Sequence, residues 1–402
     1  MDKIEVKKTI KKIFDYIDNY DEKVDLEIYK GHPSLYFFHT KEELNKKIDT
    51  YLQKDNYDKY DVYYIIRKLI KFLLDKYDSH TRIFFQEYKR FFIVFKEENN
   101  KLHVTNVTDC FNDVLGGELI SINGIPIKII IKELEQIICY STNAHLFDEI
   151  ELALPQPDIL KSLPSVDSNS NEFYYEILVN GKSKIVTFIE NKKYNVFKSR
   201  IPENYTYEIK DDILIIHYNS CNDNEKMLGF VEQIKEVSKN NNIEYYIVDL
   251  RYNRGGNSDI TESLLEFLTD KKIVTLVNER VFSSGAMAMI DLKKMGSYII
   301  GTDIGTSLSY FGNVPGQLNL ESLGLTVKRS NTYWYYDKNL ELSAFFKNKF
   351  YNYFKDKKEL LEPVLFRPDE YVYNTIEDII NNNDSQMNRA IEYIKNLKVK
   401  KY

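Results

Sequence analysis

At 402 residues, with 43% hydrophobic and 29% charged positions, the chain has room for two or three domains and a large core. A net charge of −6, with Lys and Arg scattered rather than clustered, gives no electrostatic case for nucleic acid as a partner. No stretch approaches the roughly 20 apolar residues of a membrane span.

The opening thirteen residues, MDKIEVKKTIKKI, are charged and amphipathic and lack the apolar stretch of a signal peptide. Three widely spaced cysteines (Cys110, Cys139 and Cys221) form neither a CxxC metal pattern nor a disulfide framework. The expectation is a cytoplasmic protein with reduced thiols. Helical spacing runs through residues 1–90: Ile4, Ile10, Ile13, Phe14 and Ile17, then Tyr63, Ile65, Ile66, Leu69, Ile70, Leu73 and Leu74. Thr40 followed by Lys-Glu-Glu has the form of a helix N-cap with an acidic first turn. This region is expected to be helical and to end in the polar junction 75–81.

Residues 91–200 are expected to form a small β-rich module. Phe91 to Phe95, Leu102 to Val107 and Glu118 to Ile122 look like short strands, and Asn123-Gly124 and Asn180-Gly181 are two-residue hairpin turns. A short helix is expected over 129–138, and 157–172, with its prolines, serines and asparagines, as a mobile loop. From 201 to 402 the pattern alternates: strands at Ile213, Ile243 to Leu250, Ile273 to Val277 and Tyr298, and helices at Lys226 to Ser238, Ile260 to Leu268 and Gly285 to Met295. Strand–turn–helix repeated in this way is the pattern of a parallel α/β sheet. The last helix is expected over Gln386 to Leu397.

In such sheets active groups collect beyond the carboxyl ends of the strands. Ser283 falls there, at a helix start that supplies backbone N–H groups and a partial positive charge. A serine becomes a nucleophile when a base takes its proton and donors receive the oxyanion. Gly255-Gly256, after the strand ending near Asp249, could bring a further backbone N–H close, because glycine permits strained turns. The plainer reading is that Ser283 and Ser284 only cap the helix. The Gly-Gly-Asn-Ser sequence matches neither GxGxxG nor a phosphate-binding P-loop, and no HExxH or paired-carboxylate cluster suggests a metal. Among six histidines, His80 stands in the polar junction Asp78-Ser79-His80-Thr81, where a side chain can point into a cleft; it is the best base candidate.

Several segments in order, Tyr218-Asn-Ser-Cys, Val248-Asp-Leu-Arg-Tyr-Asn-Arg-Gly-Gly-Asn-Ser, Phe282-Ser-Ser-Gly, Ile300-Gly-Thr-Asp-Ile-Gly and Arg367-Pro-Asp, resemble the C-terminal processing (tail-specific) serine protease family. Asp78-Ser-His-Thr is similar to the Asp-Gly-His-Thr of its tricorn-like branch, and Glu118 to Gly124 resembles part of the PDZ domains such proteases carry. The resemblance covers about residue 75 to the C-terminus. It implies an α/β fold (α+β overall) with a helical N-terminal region, a PDZ-like module and a crotonase-like protease core. It also implies peptide or protein substrates and no cofactor. Ser283 falls on the nucleophile, Ser284 and Gly255 or Gly256 on the oxyanion hole, His80 on the base, Ser79 on a supporting serine, and Glu341 at a plausible position for the acid. Three positions depart from the pattern. Ser307 stands where the tail-specific branch has its lysine, Arg254 replaces a glycine, and Ala286 stands where an acidic residue is usual. These departures leave a non-catalytic peptide- or small-ligand-binding protein on the same fold as the alternative, with a crotonase-type acyl-CoA enzyme as a third reading.

Overall fold

Three amphipathic helices open the chain in the computed structural model, which describes residues 1–18, 31–74, 76–192, 202–337, 339–340, 342–347 and 362–399. Helix α1 (Lys3–Asp18) buries Val6, Ile10, Ile13, Phe14 and Ile17, the stripe its 3.6-residue spacing dictates. Helix α2 (Lys41–Tyr51) starts on the expected cap. The Thr40 hydroxyl accepts the Glu43 N–H, and the Glu43 carboxylate accepts the Thr40 N–H at 2.7 Å. Asp58 and Asp61 cap α3 (Lys59–Leu73) in the same reciprocal way. After α3 the period changes to two, at β1 (Arg82–Phe85).

The β-rich stretch holds β2 (Ile93–Glu98), β3 (Lys101–Val107), β4 (Glu118–Ile122), β5 (Ile125–Pro126), β6 (Glu172–Val179) and β7 (Lys182–Ile189). They pair antiparallel in the order β2-β3-β4-β6-β7, with β5 on β4. Both Asn-Gly turns form: Asn123 and Gly124 have φ of 52° and 74°, Asn180 and Gly181 of 50° and 75°. Two successive positive φ values give the turn whose twist matches its flanking strands. Between β5 and β6 lie α4 (Ile127–Glu135), α5 (Asn143–Ala153) and α6 (Pro157–Ser162). The first six residues of the loop expected over 157–172 are therefore helical. Pro157 takes the first-turn position, where a missing N–H has no intrahelical partner to lose, and Leu160, Leu163 and Val166 are buried.

The chain then enters its second unit with an antiparallel pair, β8 (Tyr205–Lys210) and β9 (Ile213–Tyr218). It continues through α7 (Asn224–Asn240), β10 (Tyr245–Asp249), α8 (Glu262–Leu268), β11 (Lys272–Val277), α9 (Ser284–Lys294) and β12 (Tyr298–Gly301). The chain returns to the first unit with β13 (Tyr310–Gly312), β14 (Leu318–Leu320), β15 (Leu325–Lys328), β16 (Thr332–Tyr336) and β17 (Leu342–Lys347). The second unit ends with β18 (Glu370–Tyr371), α10 (Ile376–Ile380) and α11 (Ser385–Val399).

One unit thus comprises Met1–Phe197, Ser309–Asp337 and Glu341–Pro363; the other comprises Lys198–Leu308, Lys338–Leu340 and Val364–Tyr402. In the first, a single apolar core runs from Val6 and Ile10 through Leu69 and Phe95 to Phe188 and Val327. The pairing of β1 with β15, Arg82 opposite Lys328, closes a small sheet across some 240 residues of chain. In the second, β9, β10, β11, β12 and β18 run parallel, with β8 antiparallel on the edge. All five residues of β10 are buried, as a strand covered on both faces requires. Helix α11 covers one face, packing Met387, Ala390, Ile391 and Ile394 on Ile215, Tyr245, Ile247, Val274 and Leu276.

Candidate active site

The parallel strands of the second unit end at Tyr218, Asp249 and Val277, and the loops beyond them carry the candidate residues. Beyond β10 the buried Asp249 accepts from the Arg251 N–H (3.0 Å), from its Nε (2.9 Å) and from its Nη2 (2.8 Å). The same guanidinium donates to both oxygens of Asp384, each at 2.7 Å, and to Gln386 Oε1 at 3.1 Å, at the start of α11. Burial opposes ionisation of Asp249, but the charge and hydrogen bonds of Arg251 outweigh it and hold the carboxyl well below the usual carboxylate range. His217 extends the network, 3.3 Å from Asp249 Oδ2 and 3.2 Å from Glu208 Oε1. Its bond to Asp249, against burial, raises its pKa.

Ser283 precedes α9 with φ 53° and ψ −127°, a conformation L-residues rarely adopt, and its side chain makes no capping bond to the helix. The plain capping role is thereby excluded. Gly255 comes so close that a Cβ there would lie 2.8 Å from both the Ser283 Cβ and the Ser284 N. The Ser284 hydroxyl donates to the Gly256 carbonyl at 2.8 Å, tying the helix start to the glycine pair. Between the two candidate glycine donors the hydrogen bonds discriminate. The Gly255 N–H donates to Asn253 Oδ1 at 2.9 Å and is committed there. Gly256 bridges Cys221 in parallel fashion, but that bridge uses the Cys221 N–H on Gly255 O (3.0 Å) and the Asn257 N–H on Cys221 O (2.8 Å). The Gly256 N–H itself stays outside the ladder. Gly256 has φ 140°, and a Cβ there would stand 2.2 Å from the Cys221 carbonyl oxygen. Gly256→Ala is accordingly expected to destabilise the protein by about 2–3 kcal/mol and to slow any chemistry at Ser283. A shift in denaturation midpoint equivalent to less than about 0.5 kcal/mol would contradict this.

His80 and Ser79 belong to the first unit. Their turn is built by Asp78, which is fully buried and accepts the backbone N–H of His80 at 2.8 Å and of Thr81 at 3.2 Å. This is an Asx-type turn, the reason an aspartate leads the motif. The other Asp78 oxygen lies 2.7 Å from His32 Nε2, and the Ser330 hydroxyl donates to both oxygens, at 3.0 and 3.2 Å. On its other side the His32 ring accepts the Ser34 N–H at Nδ1, 3.1 Å away. Burial works against the Asp78 anion, yet the hydrogen bond and electrostatic pull of His32, with those of His80 and Thr81 behind it, carry its pKa down to about 2. For His80, burial pushes the pKa down to about 4 against the opposing attraction of Asp78, so its imidazole is neutral near pH 7. Its ring stacks on Tyr310 at 6.2 Å. Ser79 Oγ donates to the Tyr77 carbonyl at 3.5 Å.

Glu341 lies outside the described residues. Ser307 and Ala286, at two of the departures from the family pattern, are both buried. Among the described residues no group of three or more His, Cys, Asp or Glu side chains is placed to hold a metal ion, and no helix is long and apolar enough to cross a membrane. Sequence reasoning passed over Asn253, Asp384, His32 and Ser330. Only Asp78 had a local signal, its place at the head of an Asx turn.

The architecture is a mixed helix-and-sheet fold with a strained serine at a helix start beside a glycine pair. Residues 212–285, from the turn before β9 to Gly285, match the family model of peptidase family S41. Mature CPAF is similar in fold, with a TM-score of 0.54 and 12% identity over 84% of this chain and 88% of that one. A mutant of CPAF gives a TM-score of 0.58 with 10% identity over 94% and 95%. The photosystem II D1 C-terminal processing protease aligns with 14% identity over 94% and 96%, at a TM-score of 0.41. No curated protein sequence matches the chain. Over residues 212–285 the chain is therefore similar to peptidase family S41, and its fold is similar to that of mature CPAF.

Proposed function

We propose that the chain is a serine peptidase that cleaves peptide bonds through an acyl-enzyme on Ser283. The observation that carries this reading is the Ser283 backbone. A non-glycine residue held at φ 53° at a helix start, its hydroxyl unused for capping, stores strain of the sort found at functional sites. In the proposed reaction Ser283 Oγ attacks the scissile carbonyl carbon as its proton passes to the His80 imidazole. The C–N bond then breaks, and the imidazolium returns the proton to the leaving amine. Water hydrolyses the ester by the same route. The N–H groups of Ser284 and Gly256 receive the oxyanion, and Glu341 is the proposed orienting acid.

The test is covalent labelling by a fluorophosphonate, in which Ser283 Oγ would form an O–P bond and fluoride would leave. His80→Ala is expected to slow labelling by about 10²–10⁴-fold. Protonation of the base stops the reaction, so the rate should stay level as pH falls from 8 to about 5 and drop only through about pH 4, where the buried imidazole titrates. An inflection at the ordinary histidine value of about 6.5 would remove His80, as placed, from the base role.

A further inference from the structure

We infer that Asn253 is a positioning residue that holds the Ser283 turn and the glycine loop in one geometry and decides which glycine N–H faces the reaction. This rests on the serine-peptidase reading above. Asn253 is fully buried, so it acts only through its neighbours. Its Nδ2 donates to the Tyr218 carbonyl at the end of β9, at 3.1 Å. Its Oδ1 accepts from the Gly255 N–H at 2.9 Å and from the Cys221 thiol at 3.4 Å. Its backbone carbonyl accepts the Phe282 N–H at 3.1 Å, one residue before the nucleophile. Gly285 approaches so closely that a Cβ there would lie 2.4 Å from the same carbonyl.

Three chain segments that meet at the site, ending β9, following β10 and opening α9, are therefore tied through one side chain and its own peptide. The commitment of the Gly255 N–H to Oδ1 has a chemical consequence: Gly256 is left as the glycine donor. Without the amide, the Gly255–Gly256 peptide is free to rotate and two N–H groups compete for one role. Oxyanion stabilisation needs donors fixed before the charge develops, so loss of the amide should appear in the chemical step rather than in binding.

The test uses the full chain and a fluorophosphonate, resolving kinact from KI. Asn253→Ala is expected to lower kinact by about 10²-fold with KI changed by no more than about 3-fold. Asn253→Asp supplies a rescue that a merely structural role would not produce. Its ionised carboxylate can accept from the Gly255 N–H but cannot donate to the Tyr218 carbonyl; protonation restores a donor. Its kinact relative to wild type should therefore rise as pH falls. If Asn253→Ala fails to fold, Cys221→Ala, which removes the thiol bond to Oδ1 along with the Tyr218 hydroxyl's bond to the sulfur, should lower kinact by a few-fold at unchanged KI. Wild-type kinact in the folded Asn253→Ala protein, a loss confined to KI, or a flat Asn253→Asp ratio overturns the inference. Equal labelling of wild type and Ser283→Ala instead overturns the peptidase reading, and the inference falls with it.

Discussion

Ser283→Ala should abolish fluorophosphonate labelling and lower peptide hydrolysis on the order of 10⁶-fold, the loss seen when an activated serine is removed from a catalytic set. The remaining activity would reflect binding and the oxyanion donors alone. Ser283→Gly separates strain from chemistry more sharply. Glycine adopts positive φ without penalty, so this variant should be as inactive as alanine yet more stable by about 1 kcal/mol. Labelling with intact-mass readout and a urea denaturation series measure both. Labelling that survives in Ser283→Ala, or a Ser283→Gly protein less stable than wild type, would remove the nucleophile assignment or the strain on which it stands.

The largest stability effect is expected at Arg251. Its guanidinium is the main counter-charge of the buried Asp249 and also grips Asp384 and Gln386 at the start of α11. Arg251→Ala leaves a buried carboxylate without its partner, which typically costs about 3–5 kcal/mol. The pH dependence has a definite sign. In the native protein the Asp249 pKa lies below its unfolded value. Its contribution is therefore present above the ordinary carboxylate pKa of about 3.9 and is lost only as pH falls through the far more acidic folded value. In Arg251→Ala, burial without the guanidinium raises the Asp249 pKa instead, and the variant is penalised most where the group must ionise. The stability gap should be widest near pH 7 and narrow as pH falls toward about 4. A gap of under about 1 kcal/mol, or one that does not change over this range, would mean that the network does not carry the stability assigned to it.

Much of the local structure was readable from residue types alone. The Thr40 cap, both Asn-Gly turns, the buried runs at β9, β10 and β11 and the Ser283 helix start formed within a residue or two of expectation. Each depends on contacts within a few positions. The stretch 157–172 departed because its first six residues, Pro157–Ser162, are helical. Its prolines and serines are turn formers in isolation, but burial of Leu160 and Leu163 decides the matter, and burial is a property of the neighbours. Strands β13 to β16 escaped notice for a similar reason. Segments of three to five residues carry too little periodicity, and β15 is fixed by pairing with β1 far back in the chain.

The order of motifs, the helix start at Ser283 and the glycine pair were determined by the sequence itself, because strand ends, helix starts and positive-φ turns are written in local residue chemistry. Tertiary structure decided which glycine N–H is committed, since the Gly255 bond to Asn253 requires a side chain anchored on Tyr218. It also decided how strongly His80 resists protonation, since burial sets that value. Only tertiary structure could join Asp78 to His32 and Ser330, or Arg251 to Asp384. Those partners stand 46, 252 and 133 positions apart, and only the folded core brings them within hydrogen-bond distance.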